Sequence, residues 1–241
     1  MIKIFETEEM VLSAMGDLIV SKAHDAIMKH ERFNIALSGG TSPKRLYELL
    51  ASEACRNRIE WKKVFFFFGD ERYVPLDHNN SNYLMAKKSL FEPLSISQDH
   101  IFAVNTTMPP GEAAHDYEFR MLNHFHDSPC SFDFILLGLG DNAHTASLFP
   151  FTKVLHEKNA LVKEIFVDEV GMYRITFTAP LINAAQTVAF LVYGYSKAEA
   201  VHHILEGERN MEAYPAQLII PSTGEIYWFL DQAAAGRLAN K

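Results

Sequence analysis

The sequence predicts an α/β protein: a Rossmann-like open sheet, mostly parallel, with helices on both faces and a small additional β element. Three observations carry that prediction. Short, mainly apolar runs over Val64–Phe68, residues 132–137 and residues 187–193 read as buried strands, and segments of helical period alternate with them. Several of the runs end in glycine-containing turns that pass into a helix, the junction at which open sheets bind ligands.

The whole-chain properties bound the function. The 241 residues are 48% hydrophobic, enough to bury one sizeable core, so one domain over residues 1–241 is expected. A formal charge of −8 without a Lys/Arg block argues against a nucleic-acid or anionic-membrane partner. Any anionic ligand must therefore be held by a local positive site. Cys55 and Cys130 are far apart and match no metal or redox spacing, which points to a reducing compartment. The opening residues are too short and too soon acidic (Glu6, Glu8, Glu9) for a signal peptide, and no apolar run reaches membrane-spanning length. A cytoplasmic protein, monomeric or a small homo-oligomer, is the expectation.

Taken in order, residues 1–5 read as an opening strand. Thr7 caps a helix running to about Lys29, with Met10, Ala14, Ile19, Ala23 and Ile27 near helical spacing on its core face. Residues 34–37 form a short strand, and a helix covers 44–51. After Val64–Phe68 come a polar loop with Asn79, Asn80, Ser81 and Asn82, and a helical stretch over 83–91. Residues 101–104 read as a short strand; Met108-Pro109-Pro110-Gly111 marks a break before a helix over 112–126. Strands over 161–167 and 173–178, a strand over 187–193, a helix over 198–205, a strand over 226–230 and an Ala-rich final helix complete the chain.

Three strand ends carry candidate chemistry. After residues 34–37 comes Ser38-Gly39-Gly40-Thr41-Ser42-Pro43. Adjacent glycines let the backbone approach a ligand, Pro43 suits a first helical turn, and the free amides of a helix start favour an anion. This is a phosphate cradle, or else an ordinary tight turn. It lacks the lysine of a nucleotide P-loop and the third glycine of a dinucleotide fingerprint, which argues against ATP and NAD. Asp70, Glu71 and Arg72 follow a strand with four phenylalanines; three charges there are costly unless they work or pair, Arg72 with Asp70 or Glu71. The run 132–137 feeds Gly138-Leu139-Gly140-Asp141-Asn142-Ala143-His144, placing His144 at a strand mouth unless the segment is merely a turn in which Asp141 and Asn142 satisfy local amides.

Other charged positions are read more plainly. Lys197 stands near a helix start, unfavourable for a cation unless an anion binds close by, and is otherwise a solvated lysine. Arg174 lies in an alternating stretch that exposes one face and reads as a surface charge. His124 and His126 lie on different helix faces, a poor chelating pair that reads as solvated, and no metal site is expected.

Together these segments resemble the 6-phosphogluconolactonases, grouped with the glucosamine-6-phosphate isomerases/deaminases in a Rossmann-like superfamily. The resemblance runs over nearly the full length. It rests on Ser38-Gly39-Gly40-Thr41-Ser42-Pro43, Gly69-Asp70-Glu71-Arg72 with Ser81-Asn82, Gly138-Leu139-Gly140 through His144-Thr145-Ala146-Ser147-Leu148-Phe149-Pro150, Arg174-Ile175-Thr176, Lys197-Ala198, and Pro215-Ala216-Gln217 with Trp228-Phe229-Leu230-Asp231.

The resemblance implies hydrolysis of 6-phospho-D-glucono-1,5-lactone to 6-phosphogluconate, with a phosphorylated sugar lactone as the small-molecule partner and no cofactor. It implies that Ser38, Gly39, Gly40 and Thr41 hold the phosphate with Arg174 and Lys197, that Asp70 and Arg72 lie beside the sugar ring, and that His144 is the catalytic acid/base. One departure stands out: the family more often reads Asp-Gly-His where this chain has Asn142-Ala143-His144. Asn142, Asp141, Asp70 or another carboxylate is left to orient the imidazole, unless the histidine works without one. An isomerase/deaminase acting on glucosamine 6-phosphate needs an acid shortly after the histidine, and Thr145-Ala146-Ser147-Leu148-Phe149-Pro150 holds none. A non-catalytic sugar-phosphate sensor keeps the cradle without the chemistry; His144 and Asp70 argue against it.

Overall fold

In the computed structural model, which describes residues 1–126 and 130–239, the elements run β1 (Ile2–Phe5), α1 (Glu8–His30), β2 (Phe33–Leu37), α2 (Thr41–Ala51), β3 (Val64–Phe68), β4 (Asp70–Arg72), α3 (Asn82–Ala86), α4 (Pro110–Phe125), β5 (Phe134–Leu137), β6 (Val162–Val167), β7 (Met172–Phe177), α5 (Ala179–Asn183), β8 (Thr187–Val192), α6 (Ala198–Leu205) and β9 (Glu225–Asp231). Six strands form a sheet in the order β1-β9-β8-β5-β2-β3, and every adjacent pair is parallel. β4, β7 and β6 form a separate antiparallel sheet.

Strand alternation divides the core in two. Phe33, Ile35 and Leu37 of β2 and Phe66 and Phe68 of β3 pack with Met15 and Ile19 of α1 and Leu46 and Tyr47 of α2. Ala36, Phe67, Ile135 and Leu137 point the other way, onto Tyr117 and Met121 of α4 and Val201 of α6. Both faces of the sheet are covered, as uninterrupted apolar strands require. Among the described residues, no helix is long and apolar enough to cross a membrane.

Gly69 moves the chain from one sheet to the other. Its N–H donates to Leu37 O (2.9 Å) at the end of β2, and its carbonyl accepts from Phe177 N (2.8 Å) at the end of β7. The polar segment 70–72 is thereby a strand of the small sheet rather than a free turn.

Several expectations are corrected. Residues 101–104 form no strand; Ile101 makes an isolated bridge to Phe66, and Arg120 Nη2 donates to Ala103 O instead. The Ala-rich end is a series of turns opened by Asp231, whose carboxylate accepts from Ala234 N at 2.7 Å. Residues 175–177 do not alternate: all three are buried, because β7 is the middle strand of its sheet and packs on the core. On α1 the buried stripe is Val11, Met15, Ile19 and Ala23, leaving Met10 exposed. His124 is not solvated. It lies against Phe65, Phe67 and Phe102, and Nε2 meets Asn34 Oδ1 at 2.8 Å.

Candidate active site

Connections leave β2 toward β3 on one side and β5 toward β8 on the other, so the neighbouring carboxyl ends of β2 and β5 are the switch point of the sheet. The turns that follow touch: a Cβ on Gly138 would stand 3.7 Å from Ser38 Oγ. A cavity of about 210 Å³ opens there, bounded by Ser38, Gly39, Gly40, Thr41, Asp70, Arg72, Asn82, Gly138, Gly140, His144 and Lys197, with others.

One wall is the cradle. A backbone leaving a sheet has unpaired polar groups, and the buried Tyr47 hydroxyl satisfies both at Ser38, accepting from its N–H (3.0 Å) and donating to its carbonyl (2.8 Å). Tyr117 makes the same two bonds to Phe68 at the end of β3. Gly40 caps α2 at φ +102°, a conformation that only glycine adopts readily, and Thr41 begins the helix. A Cβ at Gly39 would fall 2.0 Å from Asn82 Oδ1, so Asn82 is the surface against which the Gly-Gly turn is laid.

The second wall is the turn after β5. It closes on itself through Gly140 N to His144 O (2.8 Å) and Thr145 Oγ1 to Gly138 O (2.8 Å). Ala143 (φ +61°) and Ala146 (φ +47°) flank His144 in the left-handed region, which costs roughly 1–2 kcal/mol per residue. The strained turn is supported from outside by Ala216 N donating to Ala143 O (3.1 Å). The imidazole stacks on Phe149 with centroids 4.0 Å apart, and Nδ1 meets Asn142 Oδ1 at 2.5 Å. Burial pulls its pKa down to about 4, with Asp70 opposing and Lys197 and Arg174 assisting, so the ring is neutral near pH 7.

Charge converges on the third side. Asp70 accepts from Ser147 Oγ (2.6 Å) and Asn82 Nδ2 (3.2 Å). Arg72 pairs with neither Asp70 nor Glu71; Nη1 donates to Asn80 O (3.0 Å). Glu71 is 1% exposed and accepts from Arg72 N, Asn82 N, Tyr83 N and Ser81 Oγ. Burial still pushes its carboxyl up to about 7. Lys197, at the start of α6, donates to Asp141 Oδ1 at 2.7 Å.

A protein-family model for glucosamine-6-phosphate isomerases/6-phosphogluconolactonase matches residues 6–228. The chain belongs to this family. It is 40% identical to a 6-phosphogluconolactonase of Nostoc sp., covering 99% of this chain and 98% of that protein, and 35% identical to the Homo sapiens 6-phosphogluconolactonase, covering 98% and 92%. Among solved structures, the devB protein superposes with a TM-score of 0.90 at 34% identity over 99% of this chain and all of that one. The 6-phosphogluconolactonase from Trypanosoma brucei gives 0.87 at 28%, over 99% and 98%.

The family motifs divide into those that line the cavity and those that hold the lining in place. Ser38, Gly39, Gly40, Thr41, Asp70, Arg72, His144 and Lys197 border one space. Arg174 does not border it. It faces Arg72 across the β4–β7 pair, partly buried, close enough to lower the His144 pKa. Two guanidinium groups opposite one another repel, and an anion beside them relieves the repulsion. Of the candidates to orient His144, Asn142 meets the ring, whereas Asp141 is engaged with Lys197 and Asp70 with Ser147 and Asn82.

The remaining family motifs serve at a distance. Ala216 supports the His144 turn, and Gln217 secures its own segment by accepting from Asn210 N and donating to His203 O. Asp231 accepts from Gly194 N, fixing the turn that presents Lys197. Sequence reasoning missed Tyr47 and Tyr117, and it named Glu71 only among the charges after β3 and as a partner for Arg72. Three of the four donors to Glu71, from Ser81, Asn82 and Tyr83, lie ten or more positions along the chain, beyond the reach of local patterns.

Proposed function

We propose that this protein hydrolyses 6-phospho-D-glucono-1,5-lactone to 6-phosphogluconate, with His144 as the base that activates water. The full-length similarity to 6-phosphogluconolactonases supports the substrate and reaction. One observation carries the mechanism: a neutral imidazole and a glycine-lined helix start share one cavity at the sheet's switch point.

The amides of the cradle, the Thr41 hydroxyl and Lys197 hold the phosphate, with Arg174 adding positive potential against a net charge of −8. The lactone carbonyl then lies between His144 and Arg72. His144 Nε2 takes a proton from water as its oxygen bonds to C1, and the carbonyl oxygen becomes an oxyanion. Arg72, which borders the same cavity, is the donor for that oxyanion. Collapse breaks the bond from C1 to the ring oxygen, which receives the proton from His144. Asp70, fixed by Ser147 and Asn82, accepts a ring hydroxyl. The protein works as one domain in the cytoplasm.

The test is to generate 6-phosphogluconolactone in situ and follow acid release against the spontaneous rate, with glucosamine 6-phosphate in parallel. Acceleration of lactone opening without amine release is expected. Amine release from glucosamine 6-phosphate, with lactone opening at the spontaneous rate, refutes the proposal.

A further inference from the structure

Asn142 stands where the resemblance leads one to expect an aspartate, and the difference has a chemical consequence. A carboxylate only accepts hydrogen bonds, so it always draws a proton onto the facing imidazole nitrogen. A carboxamide has an accepting and a donating end. With its nitrogen toward His144, it would donate to Nδ1, leave the proton on Nε2, and turn the ring into a donor incapable of taking a proton from water.

The chain supplies a group that resolves this choice. Asn142 Nδ2 donates to Glu169 Oε2 at 3.2 Å, while Oδ1 meets both His144 Nδ1 (2.5 Å) and the His144 N–H (3.4 Å). Glu169 lies in the exposed turn between β6 and β7, 27 positions along the chain from Asn142. Among the described residues, His144 Nε2 has no protein partner, and the ring borders the cavity.

We propose that Glu169 is a positioning residue: by holding the Asn142 nitrogen it keeps the amide oxygen on His144 Nδ1, and so keeps the lone pair on Nε2. Glu169 and Asn142 together do what one aspartate does alone. The proposal rests on the reading of His144 as the base.

The test combines a tautomer measurement with a double-mutant cycle. In the full-length protein, imidazole ¹⁵N shifts are expected to report the Nδ1–H form of His144, and Glu169→Ala to move it toward Nε2–H. Glu169→Ala is expected to lower kcat about threefold to tenfold, the range for the net contribution of one ordinary hydrogen bond, with KM unchanged. In an Asn142→Asp background the same substitution removes only a repelling charge, so kcat stays level or rises. A merely structural role lowers kcat equally in both backgrounds, and that result overturns the proposal. An unchanged tautomer in Glu169→Ala overturns it too, and needs no Asn142→Asp protein. A fully active His144→Ala variant refutes the base assignment instead, leaving the tautomer result to speak for Glu169.

Discussion

A Cβ built on Gly140 falls 2.1 Å from His144 Nδ1 and 2.2 Å from Cε1, so the imidazole occupies space that only a glycine leaves open. Gly140→Ala is therefore expected to displace the ring from Asn142 and Phe149 while the remote core stays intact. Its kcat should fall about as far as that of His144→Ala, roughly 10²–10⁴-fold, the usual contribution of a general base. Steady-state kinetics beside a thermal melt checks this; full activity in Gly140→Ala shows that the ring position does not matter.

The pH profile follows from burial of His144. A base must be unprotonated, and this one is neutral down to about pH 4, so kcat/KM is expected to be flat from pH 6 to 8 and to fall only as pH approaches 4. Asn142→Asp places a negative charge against Nδ1, favours the imidazolium, and moves the acid limb to higher pH. Initial rates corrected for spontaneous hydrolysis report the limb directly.

Lys197 is expected to act in binding. Its partner Asp141 is largely exposed, with 70% of its side-chain surface accessible, and such a pair contributes about 1 kcal/mol or less, so a phosphate can displace it. Lys197→Ala should raise KM roughly tenfold to a hundredfold, the equivalent of one lost charged hydrogen bond, with kcat nearly unchanged. Asp141→Asn, which removes the competing anion, should lower KM. Measurements at two ionic strengths separate the charge from any packing effect.

Glu71 is expected to matter for stability. Glu71→Gln brings an NH₂ against the donors of Arg72, Asn82 and Tyr83, at a cost of about 1–3 kcal/mol in urea unfolding. The folded pKa, about 7, lies above the ordinary 4.5. The carboxyl's contribution is thus full below pH 4.5 and is lost as pH rises through 7. The substitution should cost more at pH 5 than at pH 8.

The buried strands and the helix starts were legible in the sequence because their signals are local. Thr7 caps α1, and the Gly-Gly turn leads into α2. The strand at 70–72 was not, since three charged residues form a strand only where β7 offers an edge to pair with. His124 was read as solvated because helical spacing gives a residue's face, not what packs against it; Phe65 and Phe102 enclose it.

By itself the sequence determined the α/β class, the three strand-end turns and the family, through short motifs whose order along the chain is their information. Only the tertiary structure decided which side chains meet. It put Asn142 rather than Asp141 on His144, Arg72 on Asn80 rather than Asp70, and four donors on Glu71. The physical reason is range: turn and helix preferences act over a few neighbours, whereas these contacts join segments brought together by the burial of two apolar layers on one sheet.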